Sequence, residues 1–280
     1  MSFTPSVPAY LAPLLSLFAS HGEAAYPVGG CVRDTLMDIP PHDWDVAVTT
    51  IPHDTMAICH AAGYRTVPTG LKHGTVTILA PLSGDPQDRE GAYEMIECTT
   101  CRTEGGYTDG RHPDAVAFTG LIEDDLSRRD FTVNAMAFTQ NGDPLSVLDL
   151  FGGQDDLKSR IIRAVGDPDT RFTEDALRLM RGVRFAVKLG FFVEPDTYAA
   201  ICRQAEGLSR ISRERISEEF QKILTSPEPE RGVSLLSDTG LLPYVLPCGI
   251  SPMGMGKLSS PAPERTKSTN EHSSRISAAL

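Results

Sequence analysis

The sequence predicts an α+β protein, with a small mixed β-sheet flanked by helices in its first half and an all-helical segment in its second. Between Ala24 and Cys101, apolar and polar residues alternate in short runs, the period of half-buried strands. From Leu121 onward the apolar residues instead recur every three to four positions, the period of amphipathic helices. At 280 residues and 40% hydrophobic content, the chain has material for one large domain or two ordinary ones.

In chain order, leucines at helical spacing predict a helix over Pro8–Ser20, and Ala24–Val28 reads as a strand that stops at Gly29-Gly30. A helix over Cys31–Met37 follows. Trp44, Val46 and Val48 alternate with Asp43, Asp45 and Ala47, which predicts a strand with both aspartates on one face. A helix over Pro52–Ala62 and strands near Tyr64–Pro68, His73–Ala80 and Tyr93–Cys101 complete the sheet, with a polar hairpin insertion before the last strand. Helices are expected over Thr173–Leu189, Pro195–Ala205, Ser212–Leu224 and Glu228–Thr239. The expected organisation is an N-terminal helix (1–22), a sheet-based head (23–150), a helical neck (151–250) and a disordered tail (251–280) rich in Ser, Pro and Gly.

Net charge is -11, but it is unevenly spread. Residues 1–150 carry 8 Lys/Arg against 20 Asp/Glu, whereas residues 151–225 carry 13 against 12, so the arginines concentrate in the second half. Of six cysteines only Cys98 and Cys101 form a C-x-x-C, and on a strand residues three apart face opposite sides. That favours reduced thiols over a zinc site or a disulfide. No apolar run approaches the ~20 residues that span a bilayer. The N-terminus has no basic start before its apolar stretch, so the expected location is cytoplasmic, without a membrane partner.

Three constellations carry chemistry. Asp43 and Asp45 on one strand face, with a third acid on a neighbouring strand, suit an oxygen-ligated Mg²⁺; the same tripeptide also serves as a pair of solvated surface acids. Gly29-Gly30 ahead of it lets backbone N–H groups approach a phosphate that Arg33 can neutralise, or it is a plain tight turn with Arg33 on a solvated helix face. In "SRRDFTVNAMA", Asp130 reads either as a helix N-cap beside a surface Arg129, or, with Asn134, as a partner for ribose hydroxyls, with Arg129 on a triphosphate. In "TEDALRLMRGVRF", Asp175, Arg178, Arg181 and Arg184 recur every three residues on one helix. Asp175 and Arg178 then form an intrahelical salt bridge, or they read a base: the carboxylate accepts from an exocyclic amine and the guanidinium donates to the adjacent ring nitrogen. Cytosine and adenine share that pattern, while uracil and guanine present the opposite polarity.

Taken in order, "GGCVRD", "DWD", "TGLKHGTV", "IECTTCR", "YTDGRHPD", "RRDFTVNAMA", "LDLFGGQDDL", "RFTEDALRLMRGVRF" and "SRERISEEF" resemble the class II CCA-adding tRNA nucleotidyltransferases and the related bacterial poly(A) polymerases, over about Tyr26 to Leu246. The resemblance implies a nucleotidyltransferase head of the DNA polymerase beta superfamily. It implies Asp43 and Asp45 as catalytic ligands of Mg²⁺, with Glu97 as an acid near them. It also implies Gly30, Arg33 and Arg129 for the nucleotide, Asp130 and Asn134 for the ribose, Asp175 and Arg178 for the base, and Arg181 and Arg184 as further nucleotide contacts. The implied reaction is template-independent addition of CMP, CMP and AMP, from CTP and ATP, to the 3′ end of tRNA.

Cys101 stands where many relatives have Phe, and "DVAVTT" runs one residue longer than usual. The resemblance fades after Pro247, which implies a head and neck without the helical body that grips tRNA. The alternatives are a poly(A) polymerase, an enzyme adding only CC or only A, and an inactive nucleotide- or RNA-binding fragment; "TGLKHGTVTIL" favours the CCA-adding members. A metal phosphohydrolase is disfavoured by the lack of a further His/Asp cluster. Nothing in the sequence sets an oligomeric state.

Overall fold

A computed structural model describes residues 7–88, 90–105, 115–139 and 146–246. The tail over 251–280, Cys248 and the "YTDGRHPD" motif lie outside the described residues. Helix α1 (Ala12–Ser20) starts later than the leucine spacing predicts, because Pro8–Leu11 close a turn in which the Leu11 N–H donates to the Pro8 carbonyl at 3.0 Å. Leu14, Leu15 and Phe18 make its buried stripe.

The head follows as β1 (Ala25–Pro27), α2 (Gly30–Leu36), β2 (Asp45–Val48), α3 (Pro52–Ala61), β3 (Arg65–Gly70), β4 (Thr75–Pro81) and β5 (Tyr93–Thr100). These strands form one mixed sheet in the order β1-β2-β5-β4-β3, with β2 and β5 its parallel pair. Val46, Val48, Ile78, Ile96 and Cys98 point from the sheet into one core with α1, whereas Ala47 and Cys101 belong to another with Val28, Ile122 and Leu126. Cys98 and Cys101 thus lie in different cores as reduced thiols.

A hairpin of β6 (Arg102–Gly105) and β7 (Ala115–Phe118) leads to α4 (Ile122–Ser127), then β8 (Met136–Thr139) pairs with β9 (Ser146–Asp149). The chain is therefore less helical after Leu121 than its period suggests. Strand β8 is needed on the head: Val28 bridges Ala137, and Met136 and Phe138 fill the head core, while Phe131 and Val133 just upstream fill the neck core. One short segment ties the two cores together.

The neck comprises α5 (Gly153–Ser159), β10 (Ile161–Ile162), α6 (Pro168–Glu174), α7 (Leu177–Leu189), β11 (Phe192–Val193), α8 (Pro195–Gln204), α9 (Arg213–Leu224), α10 (Pro229–Asp238) and α11 (Leu242–Val245). It is not purely helical, because β10 and β11 form a small parallel pair. Helix α7 runs through its middle with Leu179, Met180, Val183, Ala186 and Val187 buried, leaving its arginines for the face toward the head. Head and neck belong to one compact unit.

Candidate active site

The acids come first because their placement follows from strand packing. Trp44, Val46 and Val48 are drawn into the head core, so Asp45 between them turns outward. Strand β2 begins at Asp45; Asp43 lies just before it, with its carboxylate 2.7 Å from His42 Nδ1. The expected two-acid strand face is therefore shorter than the alternation suggests, and the acid beside Asp45 is its register partner Glu97 on β5. Burial, and then the charge of Glu97, raise the Asp45 pKa, with Asp43 adding to the rise and Arg129 opposing it. Among the described residues, no three His, Cys, Asp or Glu side chains already converge as a ligand set. The donor chemistry nevertheless fits a hard divalent cation: carboxylate oxygens only, beside a cleft with room for waters and phosphate.

Beyond Asp45 opens a cleft of about 480 Å³ between head and neck, within the ~300–1,000 Å³ of typical ligand pockets. It is lined by nearly every other residue singled out in the sequence. Gly29 has φ 77° and ψ -124°, a conformation glycine alone adopts without strain, and a Cβ there would lie 2.7 Å from Arg129 Nη1. The turn thus makes room for Arg129, and Gly30 opens α2. Arg33 is not on a solvated helix face: it is 4% exposed, donates to Asn134 Oδ1 at 2.5 Å and Asp34 Oδ1 at 2.8 Å, and stands 5.4 Å from the Phe185 ring centre.

Asp130 is likewise buried rather than a surface N-cap. Its Oδ1 accepts from the Phe131 N–H and from Asn134 Nδ2, and its Oδ2 from Arg181 Nε at 2.7 Å. Burial would raise its pKa, but the charges of Arg181 and Arg178 outweigh that and hold it at about 2. Arg184 sits 4.3 Å over Phe185 and 2.9 Å from Glu219; burial and then the neighbouring Arg181 lower its pKa. Phe185 therefore serves as a common apolar support for Arg33, Arg181 and Arg184.

Asp175 and Arg178, the pair expected to read the base, are arranged differently from the sequence expectation. The predicted helix over Thr173–Leu189 breaks: Asp175 is extended (φ -141°, ψ 104°) between α6 and α7. Its Oδ1 accepts from the Leu177 N–H, and its Oδ2 from Arg215 Nη2 at 3.1 Å. Asp175 and Arg178 thus make no intrahelical salt bridge. Arg178 instead donates through Nη1 to Glu174 and the Arg171 carbonyl, and through Nη2 to the Arg128 carbonyl. Both still line the cleft.

Sequence reasoning missed three groups. Asp125, 1% exposed, grips both Arg128 and Arg129, and despite burial their charges lower its pKa. Phe185 supports the arginines, and Arg215 reaches Asp175 from α9. Asp125 lies three and four residues before the arginine pair, a helical clamp spacing; Arg215 lies within "SRERISEEF", but nothing local ties it to Asp175, 40 residues away.

Acids on two adjacent inner strands of a mixed sheet, opening into an arginine-rich cleft that continues onto a helical neck, are the arrangement of a nucleotidyltransferase head. A family model described as the poly A polymerase head domain matches residues 25–163, and one described as the probable RNA and SrmB-binding site of polymerase A matches residues 190–250. The chain belongs to the poly A polymerase head family that includes the CCA-adding enzymes. The CCA-adding enzyme of Limosilactobacillus fermentum is 46% identical over 244 residues, 87% of this chain and 56% of the relative. That of Geobacillus stearothermophilus is 43% identical, over 83% of this chain and 53% of the relative. Among solved structures, the Bacillus stearothermophilus CCA-adding enzyme in complex with CTP superposes with a TM-score of 0.73 at 40% identity, over 86% of this chain and 54% of that one. The Thermotoga maritima CCA-adding enzyme complexed with tRNA-CCA gives 0.69 at 26%, over 86% and 53%. This chain spans about half the length of the relatives it matches. Among the described residues, no helix is long and apolar enough to cross a membrane.

Proposed function

We propose that this chain is a template-independent RNA nucleotidyltransferase that adds CCA to tRNA 3′ ends from CTP and ATP, in the cytoplasm. The observation that carries the reading is the single cleft in which the glycine turn, Arg33, Arg129, Asp130, Asn134, Asp175 and the α7 arginines meet beside Asp45. Asp43 and Asp45, with Glu97 beside them, would hold a divalent cation, Mg²⁺ in this reading, which supplies activation of the attacking hydroxyl and charge neutralisation of the leaving oxygen. Arg33 and Arg129, with Gly30 at the start of α2, hold the triphosphate. Asp130 and Asn134 face the ribose, their orientation fixed by Arg181 and Arg33. The primer 3′ oxygen bonds to the α-phosphorus as the bond to pyrophosphate breaks, and the hydroxyl proton leaves to solvent.

Base choice rests on Asp175 and Arg178. Each Asp175 oxygen accepts one bond in the protein and has a second lone pair for the exocyclic amine of C or A. Arg178 Nη1 and one Nη2 hydrogen are held by Glu174 and by the Arg171 and Arg128 carbonyls, so the contact to the ring nitrogen falls to the remaining N–H groups. U or G would leave these polar groups mismatched, which rejects a substrate by ~10⁴-fold.

The test is incubation with Mg²⁺, each NTP singly and in pairs, and tRNA transcripts ending before CCA, at CC, or complete. CTP-dependent addition stopping at CCA supports the reading, and Asp43→Ala and Asp45→Ala should reduce it to background. Long ATP-only products point to a poly(A) polymerase, and activity retained in both variants refutes the assignment. Swapping Asp175 and Arg178 should admit UTP or GTP; unchanged selectivity refutes their role.

A further inference from the structure

Asp45 lines three clefts: one of about 180 Å³ that it shares with Glu97, Arg102, Arg128 and Arg129, and two larger ones. The first of the larger two is the arginine-rich cleft already described; the second, of about 460 Å³, lies over the open face of the sheet and has no Lys, Arg or His among the described residues lining it. Its floor follows from strand register. Asp45 pairs with Glu97, Glu97 with Thr77, and Thr77 with Val67, so one row runs from the acids across β2, β5, β4 and β3. The next row on the same face holds Met95 and Leu79, with Arg65 at its end on the edge strand. The opposite face is packed, with Ile78, Ile96 and Cys98 in the head core. On the open face Met95 is 68% exposed and Val67 43%, an apolar strip leading away from the acids.

We propose that this strip is the platform for the 3′-terminal nucleotide of the RNA primer, with its base lying on Met95, Val67 and Leu79. The proposal rests on the nucleotidyltransferase reading above. In an in-line displacement the attacking oxygen and the leaving pyrophosphate stand on opposite sides of the α-phosphorus. The arginines draw the triphosphate into the cleft between head and neck, so the primer hydroxyl arrives from the other side of Asp45, over β5, β4 and β3. The charge pattern agrees: a strip of apolar side chains and threonines bordered by acids suits a base and repels a triphosphate. Contact through apolar side chains reads no hydrogen-bond pattern and accepts any base, and a primer whose last base changes with each addition needs that tolerance. Farther along, Tyr93 stands four residues from Glu97 on β5, ~13 Å at a strand rise of ~3.3 Å per residue, and Arg65 lies over its ring at 4.1 Å. It supplies a cation for the preceding phosphate.

Two measurements test the platform. Steady-state CMP addition by Met95→Asp and Val67→Asp, both at exposed positions, should show KM for tRNA lacking CCA raised about tenfold or more, the scale of one lost base contact, with KM for CTP unchanged. A primer ending in 4-thiouridine, irradiated on the wild-type protein, should crosslink within residues 65–69 or 93–97. Crosslinks confined to α7 or α9, or unchanged KM for tRNA in both variants, overturn the platform while the activity stands. A KM for CTP that rises as much as that for tRNA overturns it too. Wild-type protein that transfers no nucleotide overturns the enzymatic reading, and the platform with it.

Discussion

Replacing Asp130 by asparagine keeps the shape of the side chain and removes the charge that Arg178 and Arg181 face. A carboxyl held at about 2 against an ordinary 3.8 binds its proton some sixty-fold more weakly in the folded chain, worth about 2 kcal/mol of stability at neutral pH. The sign follows from the direction: the folded pKa is depressed, so this stability is fully present above the unfolded value near 3.8 and is lost as pH falls toward 2. Asparagine also leaves Arg181, only 34% exposed, without its counter-charge, so the full cost at pH 7 is about 2–4 kcal/mol. Urea unfolding of wild type and Asp130→Asn, followed by the fluorescence of the single Trp44 and by far-UV circular dichroism, measures the gap. It should be widest at pH 5–7 and shrink below about pH 4. A gap that stays constant from pH 7 to pH 3 would show that lost shape or hydrogen bonds, not charge, set the cost, and would refute the ion-pair argument.

Arg215→Ala should loosen Asp175 and raise UTP misincorporation about tenfold, as expected from losing one hydrogen bond to a charged group. Arg215→Lys should recover part of the selectivity, and unchanged discrimination in the alanine variant would show that Leu177 alone fixes Asp175. Gly29→Ala forces a side chain into positive φ and against Arg129, so stability should drop by about 1–2 kcal/mol and KM for CTP should rise; an unchanged KM would remove Arg129 from triphosphate binding. Burial pushes the thiols of Cys31, Cys59 and Cys101 up to about 12 and that of Cys98 well above its ordinary value. Native protein treated with iodoacetamide at pH 8 should therefore be alkylated at Cys202 but not at these four, as peptide mass spectrometry would report.

The sequence by itself determined the pieces whose signals are local. Alternation around Trp44 set a strand that turns Asp45 outward, because burying Trp44, Val46 and Val48 admits no other register. Two glycines marked the turn before α2, and the charge count placed the arginines in the neck. Local signals failed where a distant group decides the outcome. "TEDALRLMRGVRF" reads as one uninterrupted helix, yet Asp175 leaves the helix because its carboxylate caps Leu177 and meets Arg215, 40 residues away. Asp130 and Arg33 each had a solvated local reading, and only the packing of α7 against the head buries them, with Arg181 reaching Asp130 from 51 residues along the chain. Spacing along a chain fixes which side chains share an element, whereas the sharing of a buried charge between two elements is set by how their cores dock. That docking made a row of surface-like acids and arginines into one cleft.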